Sequence, residues 1–128
     1  MLEVSVLIDV EATVVTSSPV HANSVMEHFV SLSSDYALNA VCGELDAEFD
    51  DVESGESLAD GKVRFDFELY YRHLEYAPDV ATAKKNAMAS LQRIVTNATP
   101  ILASFEGEAP AGFQIQALPE TLSAKVFT

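Results

Sequence analysis

Near its N-terminus the chain reads Leu2-Glu-Val-Ser-Val-Leu-Ile-Asp-Val-Glu-Ala-Thr-Val14, with an apolar residue at every even position. Successive side chains of a β-strand point to opposite faces of a sheet, so a period of two indicates a strand with one buried face. The pattern holds over thirteen residues, which predicts an unusually long amphipathic strand.

The spacing of apolar residues changes to that of a helix after a break at Thr16-Ser-Ser-Pro19. Apolar side chains recur at intervals of three and four between Val25 and Leu32, which places them on one helix face. Asn23 and Ser24 precede them and are candidates to cap the first free backbone amides. The pattern therefore predicts a first helix that begins near Asn23 and ends between residues 33 and 39.

Alternation returns in residues 41–50 and 63–72, and a turn-rich loop over residues 51–61 joins the two segments. Two alternating segments joined in this way predict a hairpin. A second helix is predicted from Pro78-Asp79 up to the residue before Pro100, because proline disrupts a helix interior. Weaker alternation predicts short strands in three later segments: Ile101–Phe105, Phe113–Leu118 and Leu122–Phe127.

The predicted order is strand, helix, strand, strand, helix, strand. This is the split βαβ order (βαββαβ), and right-handed connections place both helices on one face of an antiparallel sheet. The expected fold is α+β and ferredoxin-like, with a C-terminal hairpin or arm and with the second strand at a sheet edge. A chain of 128 residues has the size of one domain, residues 1–128, in which residues 119–128 are an arm able to exchange between subunits.

The charge of the chain is distributed very unevenly. Residues 1–61 contain thirteen Asp and Glu residues and no Lys or Arg, and the whole chain has a formal charge of −13. A field of this sign favours solubility and basic protein partners, and it repels nucleic acid and anionic membranes. We therefore expect protein partners, with no direct nucleic-acid, membrane or small-molecule partner.

The apolar runs and the single cysteine indicate where the protein acts. The apolar runs are far shorter than the roughly 20 residues needed to span a bilayer, and the N-terminus lacks the basic region of a signal peptide. Cys42 is the only cysteine, which fits a reducing compartment. The expected location is the cytoplasm or an assembled particle.

The predicted second strand carries a ladder of carboxylates. If Phe49 faces Val63 across the hairpin, Asp46 lies opposite Asp66 and Glu44 lies opposite Glu68. These four carboxylates are a candidate site for a hard cation such as Ca²⁺ or Mg²⁺. The alternatives are a surface that mimics nucleic acid and a solvated edge that prevents aggregation. The predicted acidic surface comprises Glu44, Asp46, Glu48, Asp50, Asp51 and Glu53.

The segment Tyr70-Tyr-Arg-His-Leu-Glu-Tyr76 is rich in the residue types that dominate protein interfaces. It is expected to lie at the end of a strand and in the following loop, with Tyr71 in the core. His73 could act there as an acid or base, but the sequence offers it no second catalytic group. The predicted protein interface comprises Tyr70, Arg72, Tyr76, Val126 and Phe127.

Motifs that bind cofactors or perform catalysis are absent from the sequence. There is no glycine-rich nucleotide loop, phosphate loop or nucleophile elbow. His21 and His28 lack a third ligand at zinc spacing, and Cys42 is expected to be a buried thiol rather than a nucleophile. We therefore predict no catalytic residue and no cofactor.

These observations favour a non-enzymatic assembly or interaction module. Such a module would form a homo-oligomer or one subunit of a larger assembly, for example a virion connector or tail component. One alternative is an acidic inhibitor that presents residues 44–60 to the groove of a basic nucleic-acid-binding protein. The other is a small metal-dependent enzyme or regulator.

Overall fold

A computed structural model describes residues 1–40 and 44–127, and it describes the side chains of these residues except 35–40, 44 and 45. The fold is α+β, with a five-stranded antiparallel sheet and three α-helices. The elements are β1 (Leu2–Thr16), α1 (Pro19–Ala40), β2 (Glu44–Phe49), β3 (Glu56–Ser57), a 3₁₀ turn (Ala59–Gly61), β4 (Val63–Ala77), α2 (Val80–Thr96), α3 (Ala98–Ala103) and β5 (Gly112–Val126).

The strands are arranged in the order β2-β4-β1-β5, and the short β3 pairs with the start of β4. β1 lies in the middle and pairs with β4 along its whole length, from Leu2 opposite Ala77 to Thr16 opposite Val63. β1 and β2 are both antiparallel to β4, so they run parallel to each other with β4 between them. β2 and β5 form the two edges of the described sheet, which confirms the edge position expected for the second strand.

The core lies between one face of the sheet and the helices. The period of two in β1 is confirmed, because every even-numbered residue from Val4 to Val14 is buried. In β4 the odd-numbered residues are buried instead, and they pack with these β1 residues against α1 and α2. The side chains buried in this core include Val4, Val6, Ile8, Phe65, Phe67, Leu69, Leu91 and Ile94.

The start of α1 differs from the sequence prediction. The helix begins at Pro19, and the Ser18 hydroxyl accepts a hydrogen bond from the backbone N–H of His21 (3.2 Å). Proline suits the first helical position because its φ is already helical and no N–H partner is needed there. The predicted caps at Asn23 and Ser24 are therefore wrong. Asn23 instead exchanges two hydrogen bonds of 2.9 Å with the backbone of Val52.

The segment after α2 is helical rather than extended. Asp79 caps α2 by accepting a 2.7 Å hydrogen bond from the N–H of Thr82. α2 ends at Thr96, and α3 follows from Ala98 to Ala103, so the strand predicted over residues 101–105 is wrong. Pro100 lies in the first turn of α3, where its missing N–H has no helical partner to lose.

The C-terminal part forms one long strand rather than a hairpin. β5 pairs with β1 through Gly112–Leu118 and again through Ser123–Val126, and the register shifts between Leu7 and Asp9. At this irregularity the Thr121 hydroxyl accepts from the N–H of Asp9 (2.8 Å) and donates to the carbonyl of Leu118 (2.7 Å). Residues 119–126 therefore belong to the sheet of their own chain, and exchange between subunits stays a prediction.

Candidate functional site: the open face and outer edge of the sheet

One face of the sheet is not covered by the helices, and its middle is acidic. The residues of this open face have odd numbers in β1 and even numbers in β4. Glu11 lies directly opposite Glu68, and the Thr13 hydroxyl donates to Asp66 at 3.1 Å. We call Asp9, Glu11, Asp66 and Glu68 the acidic centre. Two of its members come from β1, which the sequence prediction had not paired with Asp66 and Glu68.

β2 pairs with a later part of β4 than the sequence predicted. Phe49 lies opposite Leu69 instead of Val63, which places Asp46 opposite Arg72 and Glu48 opposite Tyr70. The predicted pairing failed because β3 occupies the place beside the start of β4, where Glu56 forms an ion pair with Arg64. The 3.7 Å contact between Arg72 Nη1 and Asp46 Oδ2 replaces the predicted repulsion.

This register also separates the four carboxylates of the predicted metal site. Asp46 lies beside Arg72, six residues along β4 from Asp66, which is about 20 Å in a strand. Glu44 has Leu74 as its backbone partner, and Glu68 faces β1. Among the described residues, no three His, Cys, Asp or Glu side chains are grouped so as to hold a metal ion. The register therefore contradicts the predicted pairs Asp46–Asp66 and Glu44–Glu68, on which the candidate cation site was based.

The remainder of the predicted acidic surface surrounds the β2 edge. Glu48, Asp50, Asp51 and Glu53 are all exposed, and Asp46 is half-buried. The loop that carries them is attached to α1 through the hydrogen bonds between Asn23 and Val52. The side chain of Glu44 lies outside the described part of the chain.

Four of the five predicted interface residues share the open face. Tyr70 and Arg72 lie beside the acidic centre, while Tyr76 and Phe127 lie on either side of Glu3 at the end of the sheet. Both of these rings are exposed, Tyr76 at 64% and Phe127 at 55%. Val126 is paired with the buried Val4 and therefore faces the helix side.

Glu3 connects Tyr76 and Phe127. It accepts a 3.2 Å hydrogen bond from the Tyr76 hydroxyl, which raises the pKa of that hydroxyl. Its backbone carbonyl accepts from the N–H of Phe127 at 2.9 Å. Lys125 Nζ lies 5.3 Å from the centre of the Phe127 ring, within cation–π range. Sequence reasoning did not find this arrangement, because it depends on the register of β1 with β4 and β5.

The sequence prediction missed a chain of buried polar side chains. Tyr71, His73 and Glu75 occupy successive inward positions of β4, and His73 is only 2% exposed. His73 Nδ1 lies 3.5 Å from the Tyr71 hydroxyl, His73 Nε2 lies 3.0 Å from Glu75 Oε1, and Asn86 donates to Glu75 Oε2 at 3.1 Å. Burial raises the pKa of Tyr71 to about 12.

The position of His73 corrects the expectation of a surface acid or base, since a substrate would have to enter the core to reach it. The alternation from Phe65 onward was the available signal, because it assigns residues 71, 73 and 75 to the inward face. The other two histidines join α1 to loops. His21 Nδ1 lies 3.1 Å from Glu108 Oε2, and His28 Nε2 lies 2.9 Å from Ser104 Oγ. Cys42 lies outside the described residues.

The helix side of β5 is only partly covered. None of the fifteen residues of β5 is fully buried, although its inward apolar side chains pack against the core. A groove of about 500 Å³ runs along the outer edge of this strand, between β5 and the end of α2 with α3. The lining of this edge groove is half apolar (Val95, Ala98, Leu102, Phe113 and Ile115) and half polar (Glu11, Thr13, Thr99, Gln114 and Gln116).

The sequence matches no protein-family model and no curated protein. Among the described residues, no helix is both long and apolar enough to cross a membrane. The geometry of the site is therefore the basis for a functional proposal.

Proposed function

We propose that this protein is a non-enzymatic assembly module that joins other protein chains through the outer edge of β5. The incomplete cover of β5 carries the proposal. The paired residues of β1 are fully buried on the same face, whereas Phe113, Ile115 and Ala117 remain partly exposed. An edge strand also presents backbone N–H and C=O groups without a strand partner, so a further strand can be added to it.

The open face supports the same proposal. Tyr and Arg are enriched at the energetic centres of protein interfaces, and Tyr70, Arg72 and Tyr76 lie on one face with Phe127. A partner strand added beside β5 would extend the sheet and bring a second open face next to this one. That the resulting assembly is a virion connector or tail stays a prediction.

The proposal includes a ferredoxin-like fold. With the two-residue β3 set aside and the adjacent α2 and α3 counted as one helical segment, the elements follow the order βαββαβ. The position of β4 between the parallel strands β1 and β2 supports the proposed split βαβ arrangement. This topology leaves β5 at an edge, where assembly would take place.

The test compares two alanines at equivalent positions on the two edges. Ala117 of β5 and Ala47 of β2 are both half-buried, and both are paired with a buried inward residue, Val10 and Tyr71. Ala117→Lys should abolish binding to partner chains, because a lysine on a strand edge blocks strand addition. Ala47→Lys is the matched control and should bind as the parent does.

The measurement is the molar mass in solution, together with capture of proteins from the native source by immobilised parent and variants. The parent should form a particle larger than the 13.8 kDa chain, alone or with a captured protein. A parent that remains at the mass of one chain at high concentration and captures no protein would contradict the proposal.

The exposed carboxylates favour a second candidate function, that of an acidic inhibitor of a basic nucleic-acid-binding protein. Asp50, Asp51 and Glu53 are exposed on one loop beside Glu48. Binding of this kind must weaken steeply as salt rises, because it rests on attraction between opposite charges. A captured basic partner that dissociates at high salt, and that binds Ala117→Lys as well as the parent, would favour the inhibitor.

A further inference from the structure

The proposed function leaves open which chain fills the edge groove. We infer that it is a second copy of this protein, whose β5 lies antiparallel to the first β5 across a twofold axis at Ile115. This inference rests on the proposed function and specifies its partner. Three properties of the β5 edge support it: its charge, its pairing symmetry and the shape of the groove.

The first property is the absence of charge. Residues 109–119 contain no Asp, Glu, Lys or Arg, in a chain with a formal charge of −13. At the opposite edge β2 carries Glu44, Asp46 and Glu48, so joining two copies there would bring carboxylates together. β5 is the edge at which two such acidic chains can approach. Their remaining repulsion acts over longer distances and is screened beyond about 8 Å at physiological salt.

The second property is the pairing that a twofold axis at Ile115 generates. Ile115 faces its own copy, Gln114 faces Gln116 of the second copy, and Phe113 faces Ala117. Gly112 then faces Leu118, so large side chains lie opposite small ones and the glutamine amides can hydrogen-bond across the axis. Residues 112–118 keep a regular register with β1, and the irregularity of β5 begins only after Leu118.

The third property is the groove itself. Neighbouring strands of a sheet lie about 4.8 Å apart, so an added strand occupies the space directly beside β5. Its Phe113, Ile115 and Ala117 side chains would point to the helix side, as they do in the first copy. There they would contact Val95 and Leu102, which line the groove and are only half-buried. The second copy therefore supplies the cover that β5 lacks.

The first experiment measures the molar mass of the purified protein by light scattering at several salt concentrations. The parent should be a dimer of the 13.8 kDa chain, and its dimer should become more stable as salt rises, since screening reduces repulsion between like-charged copies. Ala117→Lys should raise the dimer dissociation constant by at least about tenfold, because pairing would bury an ammonium group beside the second strand. Ala47→Lys should leave the constant unchanged.

The second experiment tests the register by disulfide formation in the Cys42→Ser background. Directly opposed residues of antiparallel strands have Cα atoms about 4.5–5.5 Å apart, within reach of a disulfide. Ile115→Cys should therefore link the two copies on mild oxidation. Ser123→Cys, exposed on the same strand, lies far from its own copy in this register and should remain unlinked. Circular dichroism establishes that each variant is folded.

A parent that stays monomeric at every salt concentration, or a dimer unaffected by Ala117→Lys, would overturn the inference. Linking of Ser123→Cys without linking of Ile115→Cys would overturn it through the register. If Ile115→Cys does not fold, the comparison of Ala117→Lys with Ala47→Lys decides alone. A monomeric parent that nevertheless binds a different protein, and loses it in Ala117→Lys, would refute the second copy and leave the proposed function standing.

Discussion

β2 and β5 form opposite edges of the same described sheet, but they differ in composition and length. β2 has six residues and an acidic residue at every second position, whereas β5 has fifteen and begins with eight uncharged residues. Short length and charge are common means of preventing a sheet edge from pairing with another chain. β5 is long, and its first residues carry no charge. This difference supports the proposal that the β5 edge, and not the β2 edge, takes part in assembly.

The largest expected effect compares an aromatic side chain of the interior with one near the open edge. Phe67 of β4 is fully buried and contacts Phe49 of β2 edge-on, with 5.6 Å between ring centres. Phe67→Ala should lower the free energy of unfolding by about 3–5 kcal/mol. Phe113→Ala should cost clearly less in the monomeric chain, because Phe113 is only half-buried. Denaturant melts measure both, and equal losses would mean that the β5 side is as closely packed as the centre.

A pH effect should arise on the β2 side of the sheet, where Tyr71 lies opposite Ala47. Burial raises the pKa of Tyr71 to about 12 from the ordinary 10.0. The unfolded chain loses this proton first, so stability is fully present below pH 10 and falls as the pH rises toward 12. The loss should be about 2–3 kcal/mol, since each pKa unit corresponds to 1.36 kcal/mol.

Tyr71→Phe should remove this part of the alkaline destabilisation, although it also removes the contact with His73. The informative quantity is therefore the slope of the free energy of unfolding against pH, not its value at neutral pH. Tyr70→Phe, exposed on the open face, is the control and should leave the slope unchanged. If the slope between pH 10 and 12 were the same in Tyr71→Phe as in the parent, the Tyr71 hydroxyl would not be buried as described.

A smaller effect is expected at the irregular part of β5. Thr121→Val removes the acceptor for the Asp9 N–H and the donor to the Leu118 carbonyl. Leaving partly buried backbone groups without partners costs about 1–2 kcal/mol. Thr13→Val is a control, because its hydrogen bond to Asp66 is exposed and should contribute little. Similar losses in the two variants would mean that Thr121 does not support the strand.

The smallest effects concern charge on the open face and should have opposite signs. Glu68→Gln relieves the repulsion from Glu11 and should raise stability slightly at low salt, whereas Asp46→Asn removes the contact with Arg72 and should lower it slightly. Each change should be below about 1 kcal/mol and should shrink as salt is added. Thermal melts at two salt concentrations measure this, and a larger effect that persists at high salt would contradict the exposed position of these groups.

The sequence was sufficient where periodicity determines structure and insufficient where the length of a loop does. Alternation located β1 and most of β4, and the apolar stripe together with Asp79 located α2. The sequence pattern could not determine the register of β2 with β4. That register depends on the path of residues 50–62, which include β3 and the 3₁₀ turn. His73 and Glu75 were not assigned to the core because they are polar. Their odd-numbered positions nevertheless place them on the same inward face of β4 as Phe65, Phe67 and Leu69.

The candidate site was predictable in its residue types but not in its geometry. Tyr70, Arg72, Tyr76 and Phe127 were selected as interface residues by chemistry, yet only the register of β1 with its two neighbours places Tyr76 and Phe127 on either side of Glu3. The edge groove was not foreseen, because part of its wall comes from α3, where the sequence indicated a strand.

The pairing of β1 with β5 has a consequence for the order in which the protein is made. The hydrogen bond from Asp9 to Thr121 spans 112 positions of sequence. β1 therefore cannot pair with β5 until almost all of these residues have left the ribosome. Contacts between distant parts of a chain slow folding and prolong the exposure of unpaired strands. During this interval β1 is itself an edge strand. The β5 segment of a neighbouring nascent chain could then pair with β1 in the position of the chain's own β5.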